Sequence, residues 1–372
     1  MKITDIETIP VVVPLSPERM IRGARGAHDR SPFLIVRVHT DEGLAGLGEV
    51  SCTPRWSGED AVTARHVCDA YLKPSLLGQD PADVERLSGV MGQAIVGHHF
   101  TKAAVEMALW DLLGKALAVP VYRLLGGQIR PGARTKFSVT AAEPSRSAAV
   151  ARWACEQGFT AMKVKVGTSL PDDVARVAAV RDAIGADVRL GVDANGGWTR
   201  ATAAAAVAPL AAAQVAFIEQ PVPARDLPGM ADVRHRSSVP VVADESVGVP
   251  EDAQDVVQAA AADVLSVYVG MAGGIGAARR VAAVASSAGA GWTIGSNLEL
   301  GIGLAAHIHL AVSTPGLDDE RVPCDIISTF YYDDDLLVQP LPIRAGWAQP
   351  PTGPGLGVEI DEDKLAHYRS DD

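Results

Sequence analysis

From about residue 134 onward, strand-like and helix-like stretches alternate regularly, and that alternation leaves few folds open. Strand-like segments fall at 135–139, 160–165, 188–193, 215–219, 239–244, 264–269 and 290–294, with alanine-rich helical stretches between them. Seven units at so even a step predict a closed parallel barrel more than an open sheet. An eighth strand is expected near 322–326. A dinucleotide-binding sheet would need a G-x-G-x-x-G turn, and the run Gly274-Ile275-Gly276-Ala277-Ala278-Arg279 lacks the third glycine. Ahead of the barrel, residues 1–128 read as an α+β unit. A strand over 2–14 ends at Pro14, and a hairpin over 33–50 turns at Asp41-Glu42-Gly43. Helical patterns follow at 59–75, 82–95 and 100–118. The charges of the last of these read as a solvated face. Residues 129–344 are assigned to the barrel, and the Pro/Gly-rich, then acidic, tail 345–372 is expected to return to the first unit.

The barrel strands carry chemistry at their ends. Ala161-Met162-Lys163-Val164-Lys165-Val166 places Lys163 and Lys165 on one face, because strand side chains alternate. Two ammonium groups side by side repel, so stability alone does not explain them. Three later strands end in Asp193, Glu219 and Asp244, spaced 26 and 25 residues apart. In a βα barrel the C-terminal strand ends line the active site. Three converging carboxylates would repel strongly without a cation. An all-oxygen set with open positions suits Mg²⁺, and the absence of His and Cys there argues against zinc. A divalent ion beside the lysines could bind a substrate carboxylate and stabilise the enediolate left when its α-proton departs. A lysine with its pKa lowered by cationic neighbours could be the base.

Composition narrows the partners. The net charge of −12 argues against nucleic acid and anionic membrane. The four cysteines, Cys52, Cys68, Cys155 and Cys324, show no paired spacing and read as reduced thiols of a cytoplasmic protein. A long uncharged run, Thr202 to Ile218, is broken by Pro209 and reads as a helix then a strand, not a membrane span. Two loops, 16–30 with Arg22, Arg25 and His28, and 51–58 with Arg55 and Trp56, have the Gly-containing character of lids.

The series Lys163-Val-Lys165, Asp193-Ala-Asn195, Glu219-Gln220-Pro221, Ala243-Asp244-Glu245-Ser246 and Gly273-Gly274-Ile275 resembles the motifs of the enolase superfamily. The resemblance is closest to its muconate lactonizing (muconate cycloisomerase) subgroup, of the mandelate racemase/muconate lactonizing enzyme family, and spans nearly the whole chain. It implies a modified (β/α)7β TIM-type barrel with an N-terminal α+β capping domain. It implies Asp193, Glu219 and Asp244 as Mg²⁺ ligands, Lys165 as acid/base and Lys163 as its electrostatic partner. Substrate contacts are expected from the capping loops through Arg22, Arg25, His28 and Trp56, and from Asn195 and Glu299, the last in a segment resembling the one after strand seven. Symmetric homo-oligomers are also implied. One position departs: the subgroup's lysine at the end of strand six is replaced here by Tyr268. A phenol, with a reference pKa near ~10, cannot supply a lysine's charge. It can pack and hydrogen-bond, which is the favoured reading, or transfer a proton. The expected function is a cycloisomerase-type isomerase of a small carboxylate. A dehydratase working by syn-elimination, a racemase or epimerase of amino-acid derivatives, and a catalytically silent ligand-binding barrel are the alternatives.

Overall fold

The structure, a computed structural model, describes residues 1–28, 30–344 and 346–370. The N-terminal segment builds a three-stranded antiparallel sheet from Ile3–Pro14, Arg30–Thr40 and Ala45–Ser51, with Arg30–Thr40 in the middle. The long helix His99–Ala116 lies on this sheet. Gly46 and Gly48 let it come close: a Cβ on Gly48 would sit 1.8 Å from the Ala104 carbonyl oxygen, and one on Gly46 would sit 2.1 Å from that of Ala108.

This helix corrects one expectation. Its charges are not a solvated face, because Lys102, Glu106 and Asp111 are buried. The helix is wedged between the sheet, the barrel and the tail, so its polar side chains become ties between them. Glu106 accepts from the backbone N–H groups of Ile275 and Gly276 at 2.8 and 2.9 Å, at the start of the barrel helix Ile275–Ser287. Burial pushes its carboxyl up to about 7, against those two hydrogen bonds. Asp111 accepts from Leu47 N at 2.9 Å and from Leu356 N at 2.7 Å. Periodicity reports burial but cannot tell a solvated charge from one bonded to another chain segment. The helix expected at 59–75 is interrupted too: Ala61–Val67 passes through a wide turn at Cys68–Leu72 into Lys73–Leu76.

The barrel strands are Phe137–Val139, Ala161–Lys165, Arg189–Asp193, Phe217–Glu219, Val241–Ala243, Val264–Val267 and Gly291–Ile294. They pair in sequence order, all parallel, as one curled sheet. The eighth strand expected near 322–326 is reduced to a single bridge between Thr135 and Cys324, and residues 322–325 join the two edges of the sheet by backbone hydrogen bonds. Asp325 N donates to Ile294 O of the seventh strand at 2.9 Å, and Lys136 N, beside the first strand, donates to Cys324 O at 3.0 Å. The tail returns to the first unit, where Ser370 N donates to Pro10 O at 2.9 Å and Arg37 pairs with Glu362 at 2.5 Å. The four cysteines are free thiols. Among the described residues, no helix is long and apolar enough to cross a membrane.

The two missing side chains of the Gly46–Gly48 face set the distance between sheet and helix. Gly48→Ala forces a methyl group into the Ala104 carbonyl and is expected to cost about 1–3 kcal/mol. A urea unfolding midpoint unchanged by this substitution would contradict the close approach.

Candidate active site

Strand register assembles the site. Lys165 lies level with Asp193, and Asp193 with Glu219, across three neighbouring strands. Asp244 follows the fifth strand, just past Val242, the partner of Glu219. Carboxylate oxygens of Asp193, Glu219 and Asp244 lie within 4.8 Å of one another, and all three residues are buried. Two of their buried oxygens, Glu219 Oε2 and Asp244 Oδ1, have no hydrogen-bond partner. Unsatisfied carboxylate oxygens in a dry interior are costly, and a cation is the group that satisfies several at once. The donor set therefore fits a divalent metal that prefers oxygen.

The lysines stand over these acids. Lys165 Nζ donates to Asp193 Oδ2 at 2.6 Å and to Asn195 Oδ1 at 3.0 Å. Lys163 Nζ donates to Glu219 Oε1 at 2.5 Å and to Asp325 Oδ2 at 2.8 Å, with Asp193 Oδ2 at 3.4 Å. Burial opposes the Lys163 charge, but Asp325, Glu219 and Asp193 outweigh it and hold its pKa well above the usual value. For Asp193 burial also opposes ionisation, and the ammonium groups of Lys165 and Lys163 more than reverse it, so its carboxyl stays below the usual range. Glu219 and Asp244 are pushed up to about 8 and about 7, chiefly by burial; Asp193 adds to this at Glu219, and the neighbouring Glu245 at Asp244.

The loops beyond these strand ends are held in unusual backbone. Asn195 and Gln220, which follow the third and fourth strands, have φ of +43° and +35°. Each is fixed by its own bonds. Asn195 N donates to Asp193 Oδ1 at 2.8 Å, and Gln220 Oε1 accepts from Asp244 N at 2.9 Å. Such strained positions persist where the surroundings over-determine them, as they do here.

A cavity of about 580 Å³ opens above the lysines. Both capping loops wall it, the first through Ile21, Gly23 and Arg25, and the second through Thr53, Arg55 and Trp56. Tyr268 is buried at the end of the sixth strand, its ring 5.1 Å from that of Trp56. Gly295 makes room for it, since a Cβ there would lie 2.1 Å from the Tyr268 ring. Burial, then the charges of Asp244, Glu219 and Asp325, hold its phenol well above the usual value, and so neutral. Arg25 lines the cavity but spends its charge on Glu245, at 3.2 Å, which also accepts from Asn195 Nδ2 at 3.0 Å.

Two expected contacts fall elsewhere. Arg22 points out of the cavity into a separate surface groove with Thr140 and Arg146, because its neighbours Ile21 and Gly23 take the inward face of a short hairpin strand. Glu299 is buried behind the wall, where it accepts from Ser296 Oγ at 2.6 Å and Asn297 N at 2.9 Å. It acts through them: Asn297 Nδ2 donates to Thr53 Oγ1 at 2.5 Å, tying the second loop to the barrel. The side chain of His28 lies outside the described residues. Sequence reasoning missed Asp325 and Lys136. Asp325 is the one acid in the eighth segment, 322–326, next to its end, so extending the search for strand-end acids to that segment would have brought it into view. Lys136, just ahead of the first strand and away from its C-terminal end, carries no such signal.

Residues 3–126 match the family model for the N-terminal domain of mandelate racemase / muconate lactonizing enzyme, and 146–364 match the enolase C-terminal domain-like model. The chain belongs to the mandelate racemase / muconate lactonizing enzyme family, within the enolase superfamily. It is 34% identical over 372 residues to muconate cycloisomerase 1 of Rhodococcus opacus, covering 98% of each chain. It is 32% identical over 371 residues to the N-succinyl-L-Arg/Lys racemase of Bacillus cereus, covering 98% of this chain and 97% of that one. Its structure resembles the dipeptide epimerase of Cytophaga hutchinsonii solved with Mg and D-Ala-L-Val, with a TM-score of 0.94, 29% identity, and coverage of 100% and 99% of the two chains. These relatives are all isomerases of the superfamily.

The unsatisfied oxygens predict a binding isotherm. Near neutral pH, calorimetry should show one Mg²⁺ per chain, and Asp244→Asn should weaken it by more than about tenfold, since loss of mere supporting partners costs ~10–100-fold at such sites. A wild-type protein that binds no divalent cation would show the triad to be a structural cluster.

Proposed function

We propose that this chain is a Mg²⁺-dependent isomerase of the muconate cycloisomerase type, which removes the α-proton of a small carboxylate through an enediolate. The observation that carries the reading is the placement of Lys165, with Lys163, over three buried acids at the floor of one cavity. Asp193, Glu219 and Asp244 would hold the metal. Bound there, it supplies positive charge that stabilises the substrate carboxylate and the enediolate derived from it. Lys165 in its neutral form takes the α-proton and later returns it. Lys163 keeps its charge and faces the negative charge that develops. As the α-proton leaves, the electron pair moves into the enediolate and then expels the oxygen on the β-carbon, which opens a lactone ring; ring closure is the reverse.

Tyr268 decides between one face and two. Inverting the α-carbon needs a second group that gives and takes a proton on the opposite face. A phenol buried against Trp56 is a poor exchange partner at neutral pH, whereas Lys165 alone suffices for one-face chemistry. The racemase and epimerase among the relatives support a second reading, in which the Tyr268 hydroxyl delivers the second proton. The four free thiols support a reducing, cytoplasmic setting.

The test is turnover on a panel of muconates, amino-acid derivatives and sugar acids. Lys165→Ala should lower the rate by about 10²–10⁴-fold with an unchanged circular dichroism spectrum. Tyr268→Phe should stay within about tenfold of the wild type. Turnover retained by Lys165→Ala would move the base elsewhere, and turnover lost in Tyr268→Phe would favour the two-face reading.

A further inference from the structure

Behind the site lies a buried charge that the reaction just described does not use. Lys136 is fully buried, and it spends its ammonium on two partners, the Pro323 carbonyl at 2.5 Å and Asp325 Oδ2 at 2.9 Å. The Phe217 ring lies 5.8 Å from its ammonium, and its charge also reaches Glu219. A buried lysine is expensive, and an apolar residue of similar size would pack there without that cost. Its effect is therefore to be sought in Asp325.

Asp325 is shared between two lysines. Its Oδ2 takes Lys136 at 2.9 Å and Lys163 at 2.8 Å, while Ser138 Oγ donates to its Oδ1 at 3.3 Å. Of the three acids that contact Lys163, Glu219 and Asp193 belong to the metal-fitting triad; Asp325 does not. Lys163 thus stands between two masters. Shared with Asp325, it bonds Glu219 through Oε1 alone and leaves Glu219 Oε2 and Asp244 Oδ1 to a cation. Without Asp325, its ammonium has only triad oxygens to pair with, and it competes for them.

We propose that Asp325, balanced from behind by Lys136, is a positioning residue that takes a share of the Lys163 ammonium and so limits its hold on the metal-binding carboxylates to Glu219 Oε1 and Asp193 Oδ2. Lys136 supplies the counter-charge that lets an ionised Asp325 be buried beside the site. Asp325 sets how readily the triad accepts a divalent cation; Lys136 offsets its charge, and because Lys163 also pairs with Asp325, loss of Lys136 leaves that role intact; neither residue ligates the ion. The inference rests on the reading that Asp193, Glu219 and Asp244 bind a divalent cation.

The experiment is calorimetric titration of the full chain with Mg²⁺ alone, without substrate, for the wild type, Lys136→Met, Asp325→Asn and the double variant. Two accounts differ on the double variant. If the pair acted only through its electric field, losing one positive and one negative charge together would cancel, and affinity would return to that of the wild type. If Asp325 anchors Lys163, the double variant lacks the anchor and stays weak. The expected results are a loss of about 10–100-fold for Asp325→Asn, a similar loss for the double variant, and undiminished affinity for Lys136→Met. Asp325→Asn strands a buried ammonium and is the variant most at risk of misfolding; the double variant removes both charges, avoids that penalty and decides the question alone. Wild-type affinity in the double variant overturns the proposal. If the wild type itself binds no Mg²⁺, the metal reading falls first, and this inference with it.

Discussion

Seven ionisable side chains meet in one place: the buried Lys136, Lys163, Asp193, Glu219, Asp244 and Asp325, and the half-buried Lys165. No arrangement of them is tolerable in a low-dielectric interior unless each charge has a partner within hydrogen-bond reach. Much of the architecture serves this pairing. Parallel strands in register bring Lys165, Asp193 and Glu219 level, and the bridge at residues 322–325 delivers Asp325 to the same end. Left over are two carboxylate oxygens without partners, at Glu219 and Asp244, and those define where a cation belongs.

The rest of the molecule shields that cluster from water. The first unit contributes two loops over the barrel mouth, and each is fastened to the barrel by polar ties: Arg25 to Glu245, and Thr53 to Asn297. The ties connect onward. Glu245 also binds Asn195, which binds Lys165, so a continuous hydrogen-bonded path joins a capping loop to Lys165. Glu299 does for the second loop, through Asn297, what Asn195 does for the first. Chemistry in such a site depends on exclusion of water as much as on the reacting groups, because charge interactions strengthen as the dielectric falls.

The fold was largely legible because strand and helix periods differ and the barrel repeats its unit seven times. The metal-fitting triad and Lys163/Lys165 were legible because strand ends in a βα barrel share one face of the molecule. What could not be read depends on contacts between distant segments. Lys102, Glu106 and Asp111 look like a solvated helix face until the tail and the barrel close over them. Lys136 looks like an ordinary charge at the start of a strand until Asp325, nearly two hundred residues later, arrives beside it. Arg22 and Arg25 differ by three residues and are alike in composition, yet a short hairpin aims only Arg25 into the cavity. Loop residues carry no periodicity, so sequence gives their chemistry but not their direction.

The central claim is that proton transfer occurs on one face, at Lys165. The most direct measurement is proton NMR in D₂O with Mg²⁺, following resolved stereoisomers of any carboxylate the protein processes. The account predicts that deuterium enters the α-position with the starting configuration kept, or that the ring opens or closes from one face. Deuterium entering with inversion of the α-carbon would contradict it, and would show that Tyr268 moves a proton on the opposite face.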